Sequence, residues 1–277
     1  MSAVSETGTR AARIDWRQVR ALVRAFAVMS FRTLPVRTMR GEKSSGSARG
    51  LWIILVLYLF LGLAFAAVAL ALKEVIVFSF LIHTFTLFVV GSSALNEASE
   101  VLFNTSENDI LLHRPIGPAT LVIAKGLTII LFTLLLGGAI NLFPTFAMLR
   151  IDDANVFSPL VHVVSVVVSA VFASGAVICL YGVISRVLGR ERFQKVITVV
   201  QIASTLFLAV GFQIIPRLLD PERGFDLGSF VHSSPFAWAF PSLWFAALDA
   251  WLGSHAQESV YAGLALCGLG VTLGCAW

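Results

Sequence analysis

Residues 51–72 read LWIILVLYLFLGLAFAAVALAL, an apolar run without a charged side chain. About twenty such residues, rising 1.5 Å each as an α-helix, cover a hydrocarbon layer roughly 30 Å thick. In lipid the run must be helical, because nothing else satisfies its backbone hydrogen bonds. Runs of the same kind recur along the chain. They predict spans at Leu51–Leu72, Val75–Leu95, Leu121–Leu149, Phe157–Ile184, Val196–Ile215 and Val260–Trp277. The expected fold is all-α: a polytopic integral membrane helix bundle with about six transmembrane helices.

Composition agrees with that reading. The 277 residues are 57% hydrophobic and 13% charged, against about 25% charged in an ordinary soluble domain. The charge is also unevenly placed. Arg10, Arg13, Arg17, Arg20, Arg24, Arg32, Arg37, Arg40, Lys43 and Arg49 all precede the first span. With Arg114, Lys125, Arg186, Arg190, Arg192 and Lys195 they fall on one side of the alternating spans, while Lys73, Arg150, Arg217 and Arg223 fall on the other. The basic excess places the N-terminus in the cytoplasm of a cell membrane. Residues 1–50 are then a cytoplasmic basic tail facing anionic lipid rather than nucleic acid, and 51–277 form the membrane domain. No secretory signal peptide is visible, and the last span reaches Trp277 without a polar stop, which predicts a longer protein. Cys179, Cys267 and Cys275 sit in apolar stretches without metal-type or disulfide spacing.

Within the tail, IDWRQVRALVRAFAVM places Trp16, Val19, Leu22, Val23, Phe26 and Met29 on one helical side and Arg17, Arg20 and Arg24 on the other. Such a helix suits the cytoplasmic membrane interface; a soluble helix packed on a partner protein is the alternative. The outer stretch SPFAWAFPSLWFAALDAWLG is rich in aromatics and interrupted by Pro235 and Pro241. It is expected to be a shallow or re-entrant element with Trp244 at the interface.

Polar residues inside the spans are His83, Asn141, His162, Gln201 and Gln213. They either bond neighbouring helices or line a path. The sequence places no carboxylate at ligand spacing from His83 or His162, so a metal site or proton relay draws little support. Ser165, Ser169 and Ala173, and separately Gly270 and Gly274, form small-residue stripes that permit close helix contact.

The connection NEASEVLFNTSENDILLHRPIGPATLVIAKGL carries the functional signal. Ser106 and Asp109 have the spacing of a helix start, with Glu107 favourable in the first turn. Pro115 cannot continue the short helix through Leu111 and Leu112, and Pro118 suits the first turn of the next. The acids Glu97, Glu100, Glu107 and Asp109 are open to two readings, docking of a basic partner or capping and solvation.

Through Ser106, Glu107, Asp109, Leu111, Leu112, Pro115, Ile116, Leu121 and Lys125 the segment resembles the coupling element of type-2 ABC exporter permeases, which reads roughly Ser-Glu-x-Asp-x-Leu-Leu-x-x-Pro-Ile. RVLGRERFQKVITVVQ, with Arg190, Arg192 and Lys195, is similar to that family's second cytoplasmic loop, and PSLWFAAL to its outer segment. His113 and Arg114 depart from the pattern. The resemblance implies a permease domain in which Ser106–Ile116 couples a separate cytoplasmic ABC ATPase subunit to the movement of an unidentified substrate. It also implies a second permease half or a homodimer, and ATP bound by the partner. The chain itself has no phosphate-binding Gly-x-x-x-x-Gly-Lys-Ser/Thr loop and no catalytic cluster, so neither a cofactor nor an enzyme activity is expected of it. A secondary transporter or channel without an ATPase is the competing class.

Overall fold

The structure is a computed structural model describing residues 14–33, 48–69, 72, 74–103, 116–187, 227–255 and 258–276, with single positions 198, 199, 202 and 206. Apart from those four positions the expected span Val196–Ile215, and with it the residues Ser106–Pro115 and the loop with Arg190, Arg192 and Lys195, lie outside the described residues.

The described chain is all-helical. Its helices are α1 (Trp16–Thr33), α2 (Ala48–Ala69), α3 (Val75–Phe103), α4 (Pro118–Ala147), α5 (Ser158–Val187), α6 (Leu227–Ser233), α7 (Pro241–Gly253) and α8 (Ser259–Ala276). Four of them, α2 to α5, are long and apolar enough to cross a membrane. Large apolar side chains such as Trp52, Val56 and Phe60 on α2 and Leu160, Val163 and Val167 on α5 point outward and exposed. Water would penalise that surface and hydrocarbon would not.

Helix boundaries follow the local chemistry. α4 begins at Pro118, at the first-turn position where the missing N–H costs nothing. Pro144 near its other end removes the N–H that would bond the Ile140 carbonyl. That carbonyl instead faces Gly62 of α2, so closely that a Cβ there would collide with it. The bare glycine lets the two helices touch backbone to backbone.

Helices α3, α4 and α5 pack against one another, α2 lies along α4, and α7 inserts between α3, α5 and α8. Phe65, Val75, Phe78, Ile82, Phe85, Ile140 and Met148 fill one part of the core. Toward the Phe103 end of α3, Tyr181 of α5 donates its hydroxyl to the Leu95 carbonyl at 2.9 Å. The Ser165, Ser169 and Ala173 stripe is buried within the chain, so it serves contact between this chain's own helices. A Cβ on Gly270 or Gly274 would meet nothing within 4 Å.

The segment expected to be shallow differs in detail. Its exposed aromatics, Phe236, Trp238 and Phe240, belong to the 3-10 turn Pro235–Ala239 and to the residue that follows it. The helix after them is buried, because Ala246, Ala247 and Ala250 let it approach α3 and α8 around Ile76, Tyr261 and Leu264.

Candidate functional site

The buried face of α7 carries one carboxylate, Asp249, with no solvent exposure. Its position is set from both ends of the helix. At the C-terminal end, the loop 151–157 clamps the chain. Asn155 donates its backbone N–H to the Gly253 carbonyl at 2.9 Å and its amide to the Leu252 carbonyl at 3.0 Å. The His255 N–H donates to the Asp153 carbonyl at 2.9 Å. Asp153 also ties down the start of α3 by accepting the Val75 N–H at 2.8 Å. Burial pushes the Asp153 carboxyl above its ordinary pKa, with the bond from Val75 opposing. At the other end of α7, Trp244 is partly buried, its indole N–H donates to the Trp238 carbonyl at 2.9 Å, and its ring meets Phe172 edge-on at 5.8 Å.

Two histidines from different helices converge on Asp249. His83 Nε2 lies 3.1 Å and His162 Nδ1 2.7 Å from the same oxygen, Oδ2. Both rings are fully buried. Ser165 Oγ is 2.7 Å from His83 Nε2 and donates to the Phe245 carbonyl at 3.1 Å. On the far side of His162, Nε2 is 3.2 Å from Asn141 Oδ1. Two atoms of this group, His83 Nδ1 and Asp249 Oδ1, are buried without a hydrogen-bond partner among the described residues.

The donors and acceptors fix where the protons sit. The Asn141 amide nitrogen donates to the Gly137 carbonyl at 2.8 Å and to Thr86 Oγ1 at 2.9 Å. A carbonyl can only accept, so the amide cannot be flipped, and its oxygen must face His162. His162 Nε2 therefore carries a hydrogen. In the neutral ring Nδ1 is then bare, and it faces a carboxylate oxygen at 2.7 Å. Two acceptors do not stand at that distance unless a positive charge lies between them. The pair either shares a proton, as imidazolium with carboxylate or imidazole with carboxylic acid, or it holds a cation.

Nucleophilic activation of Ser165 is not what this geometry offers. A Ser–His–Asp relay uses opposite ring nitrogens for the hydroxyl and the carboxylate. Here both contact His83 Nε2, and Nδ1 has no partner among the described residues.

No family model, curated protein or solved structure matches this chain.

Of the residues singled out from sequence, the structure brings together His83, Asn141, His162 and Ser165, and adds Asp249. Asp249 lies outside the expected spans, so the cost of a polar residue in lipid does not single it out. The signal was nonetheless present, as the only charge in PSLWFAALDAWLG. Ile116 is partly buried just before α4, whereas Ser106, Glu107, Asp109, Leu111, Leu112 and Pro115 lie outside the described residues. Val19 and Phe26 of α1 are buried against Ala124, with Leu121 beside them, and Lys125 stands over the Phe26 ring at 5.9 Å. Arg17, Arg20, Arg24 and Trp16 are exposed.

Proposed function

We propose that this chain is the membrane-spanning subunit of an ATP-driven ABC exporter, a six-span permease with a cytoplasmic N-terminus in the cell membrane. A separate cytoplasmic ATPase drives it. The observation that carries this reading is the acid-and-leucine sequence Ser106–Ile116, which joins the ends of two long apolar helices, α3 and α4. A force applied there reaches straight into the bundle, because both helices are continuous from that end to the His83 and Asn141 region. Coupling of this kind is a shift of packed helices driven by a partner's closure. The exposed Arg17, Arg20 and Arg24, on a helix docked against the start of α4, support an interfacial position for α1.

A second reading, a secondary transporter or channel, is favoured by one observation. Ionisable residues buried among apolar helices mark ion or proton paths in membrane proteins, and His83, His162 and Asp249 are such a group.

The test is purification of the tagged full chain from its native membrane in mild detergent, beside a Leu111→Asp/Leu112→Asp variant. A co-eluting ATPase with Walker motifs, lost in a variant that still inserts, is the expected result. An ATPase retained by the variant refutes the coupling role of the two leucines; none with wild type under several mild conditions overturns the exporter reading.

A further inference from the structure

We infer that His83, His162 and Asp249 form a binding site for a divalent transition-metal cation of the zinc class, inside the helix bundle and independent of whether an ATPase drives the chain.

The donor set is the first argument. Two imidazole nitrogens and a carboxylate oxygen, from three different helices, lie within 4.8 Å of one another with no solvent exposure. Imidazole and carboxylate together suit zinc and its neighbours, whereas calcium and magnesium take oxygen alone. Zinc bonds of 2.0–2.1 Å in a tetrahedron put ligand atoms roughly 3.3 Å apart. Asp249 Oδ2 already stands 3.1 Å and 2.7 Å from the two nitrogens. With all three ligand atoms within 4.8 Å of one another, side-chain rotations that draw the two nitrogens together and ease His162 away from the carboxylate bring them to that spacing.

The second argument is the ring orientation of His162. A ligating histidine almost always gives its other N–H to a fixed acceptor. Asn141 Oδ1 is that acceptor, and its own orientation is locked by Gly137 and Thr86. The lock leaves Nδ1 as the bare atom, pointed at the carboxylate. A metal ion supplies the positive charge this arrangement demands.

The third argument concerns what the cluster leaves unused. Asp249 Oδ1 is buried without a hydrogen-bond partner among the described residues, and a buried acceptor left unpaired is costly. A carboxylate that turns both oxygens to a cation uses it. Ser165 Oγ already donates to the Phe245 carbonyl, so at 2.7 Å it accepts the hydrogen of His83 Nε2, and a cation bound at that nitrogen displaces this hydrogen to Nδ1.

An acid-lined cavity lies on the neighbouring part of α7. This cavity of about 360 Å³ is lined by Glu74, Asp153 and Glu258, and by Ala250, the residue next to Asp249. Acids gathered in a cleft concentrate cations at its floor.

The experiment uses the purified full chain in detergent, stripped with chelator and then titrated with Co²⁺ and Zn²⁺. Wild type should take up one equivalent of Co²⁺ with the visible absorption of four-coordinate cobalt, and Zn²⁺ should abolish that band and raise the unfolding temperature. Asp249→Asn retains a group able to hydrogen-bond both histidines, so it should elute as a folded protein. It should nonetheless bind Zn²⁺ at least about 100-fold more weakly, since even supporting residues are worth about 10–100-fold. Asn141→Ala, which unlocks His162, should weaken binding by about 10–100-fold. Cys179→Ser, which removes an exposed thiol on α5, should leave binding unchanged. The inference is overturned if wild type shows no cobalt band and no zinc-dependent stabilisation, in which case the dyad holds a proton only. It is equally overturned if folded Asp249→Asn binds as wild type does or if Cys179→Ser abolishes uptake. Should Asp249→Asn fail to fold, the wild-type cobalt spectrum and stoichiometry decide by themselves.

Discussion

Replacing Asp249 by Leu tests the proton assignment at its centre. Asp249 Oδ2 faces His83 Nε2 at 3.1 Å and His162 Nδ1 at 2.7 Å, and all three side chains are fully buried. Were these ordinary neutral contacts, their loss would be modest, since hydrogen bonds between membrane helices average about 0.6 kcal/mol each and two amount to about 1 kcal/mol. If the proton shared between His162 and Asp249 rests on the imidazole, the two are a buried charge pair. Removing one partner of such a pair costs about 3–5 kcal/mol, because the other is stranded. Asp249→Leu in chelator should therefore lose about 3–5 kcal/mol. Asp249→Asn should recover more than half of that, because its amide N–H can donate to the bare Nδ1 of His162. Reversible unfolding by SDS in mixed micelles, followed by tryptophan fluorescence, measures both. A loss of about 1 kcal/mol or less for Asp249→Leu refutes the shared charge. An Asn variant no better than Leu refutes the placement of the proton on the His162–Asp249 line.

Two further outcomes follow from packing and from the outer loop. Gly62→Ala drives a methyl into the Ile140 carbonyl and should cost about 1–3 kcal/mol in the same micelle assay. Gly270→Ala, with open space around it, should be neutral or gain up to about 1 kcal/mol from helix propensity; equal effects at the two sites would sink the close α2–α4 crossing. Because the Asp153 pKa is raised on folding, the folded state holds that proton more tightly, and ionisation removes stability as pH climbs from the unfolded value through the folded one. Asp153→Asn keeps an acceptor for the Val75 N–H and cannot ionise. Its unfolding temperature should exceed that of wild type at pH 7, with the gap closing as pH falls toward 4, and a gap that widens on acidification contradicts the sign.

Much of the architecture was legible because it depends on properties that a linear sequence carries intact. A run such as 51–69 is helical in lipid whatever surrounds it, since the backbone has no other partner. Pro118 announces a helix start through its own fixed geometry, and α4 begins there. The helix through Val19 and Phe26 was visible in its spacing, and the structure adds that these side chains rest on Leu121 and Ala124.

The site was only half legible. His83, Asn141 and His162 stood out singly, as polar residues that lipid makes expensive. Their common partner did not, because Asp249 is 166 residues from His83 and 87 from His162, beyond any local periodicity. Length and apolarity, which each segment carries by itself, determined that this chain makes long helices. Only tertiary packing decided which side chains meet. The small residues of α7 let it slide between α3, α5 and α8, the loop 151–157 fixes its depth, and those two constraints bring one carboxylate against two histidines where water cannot screen them.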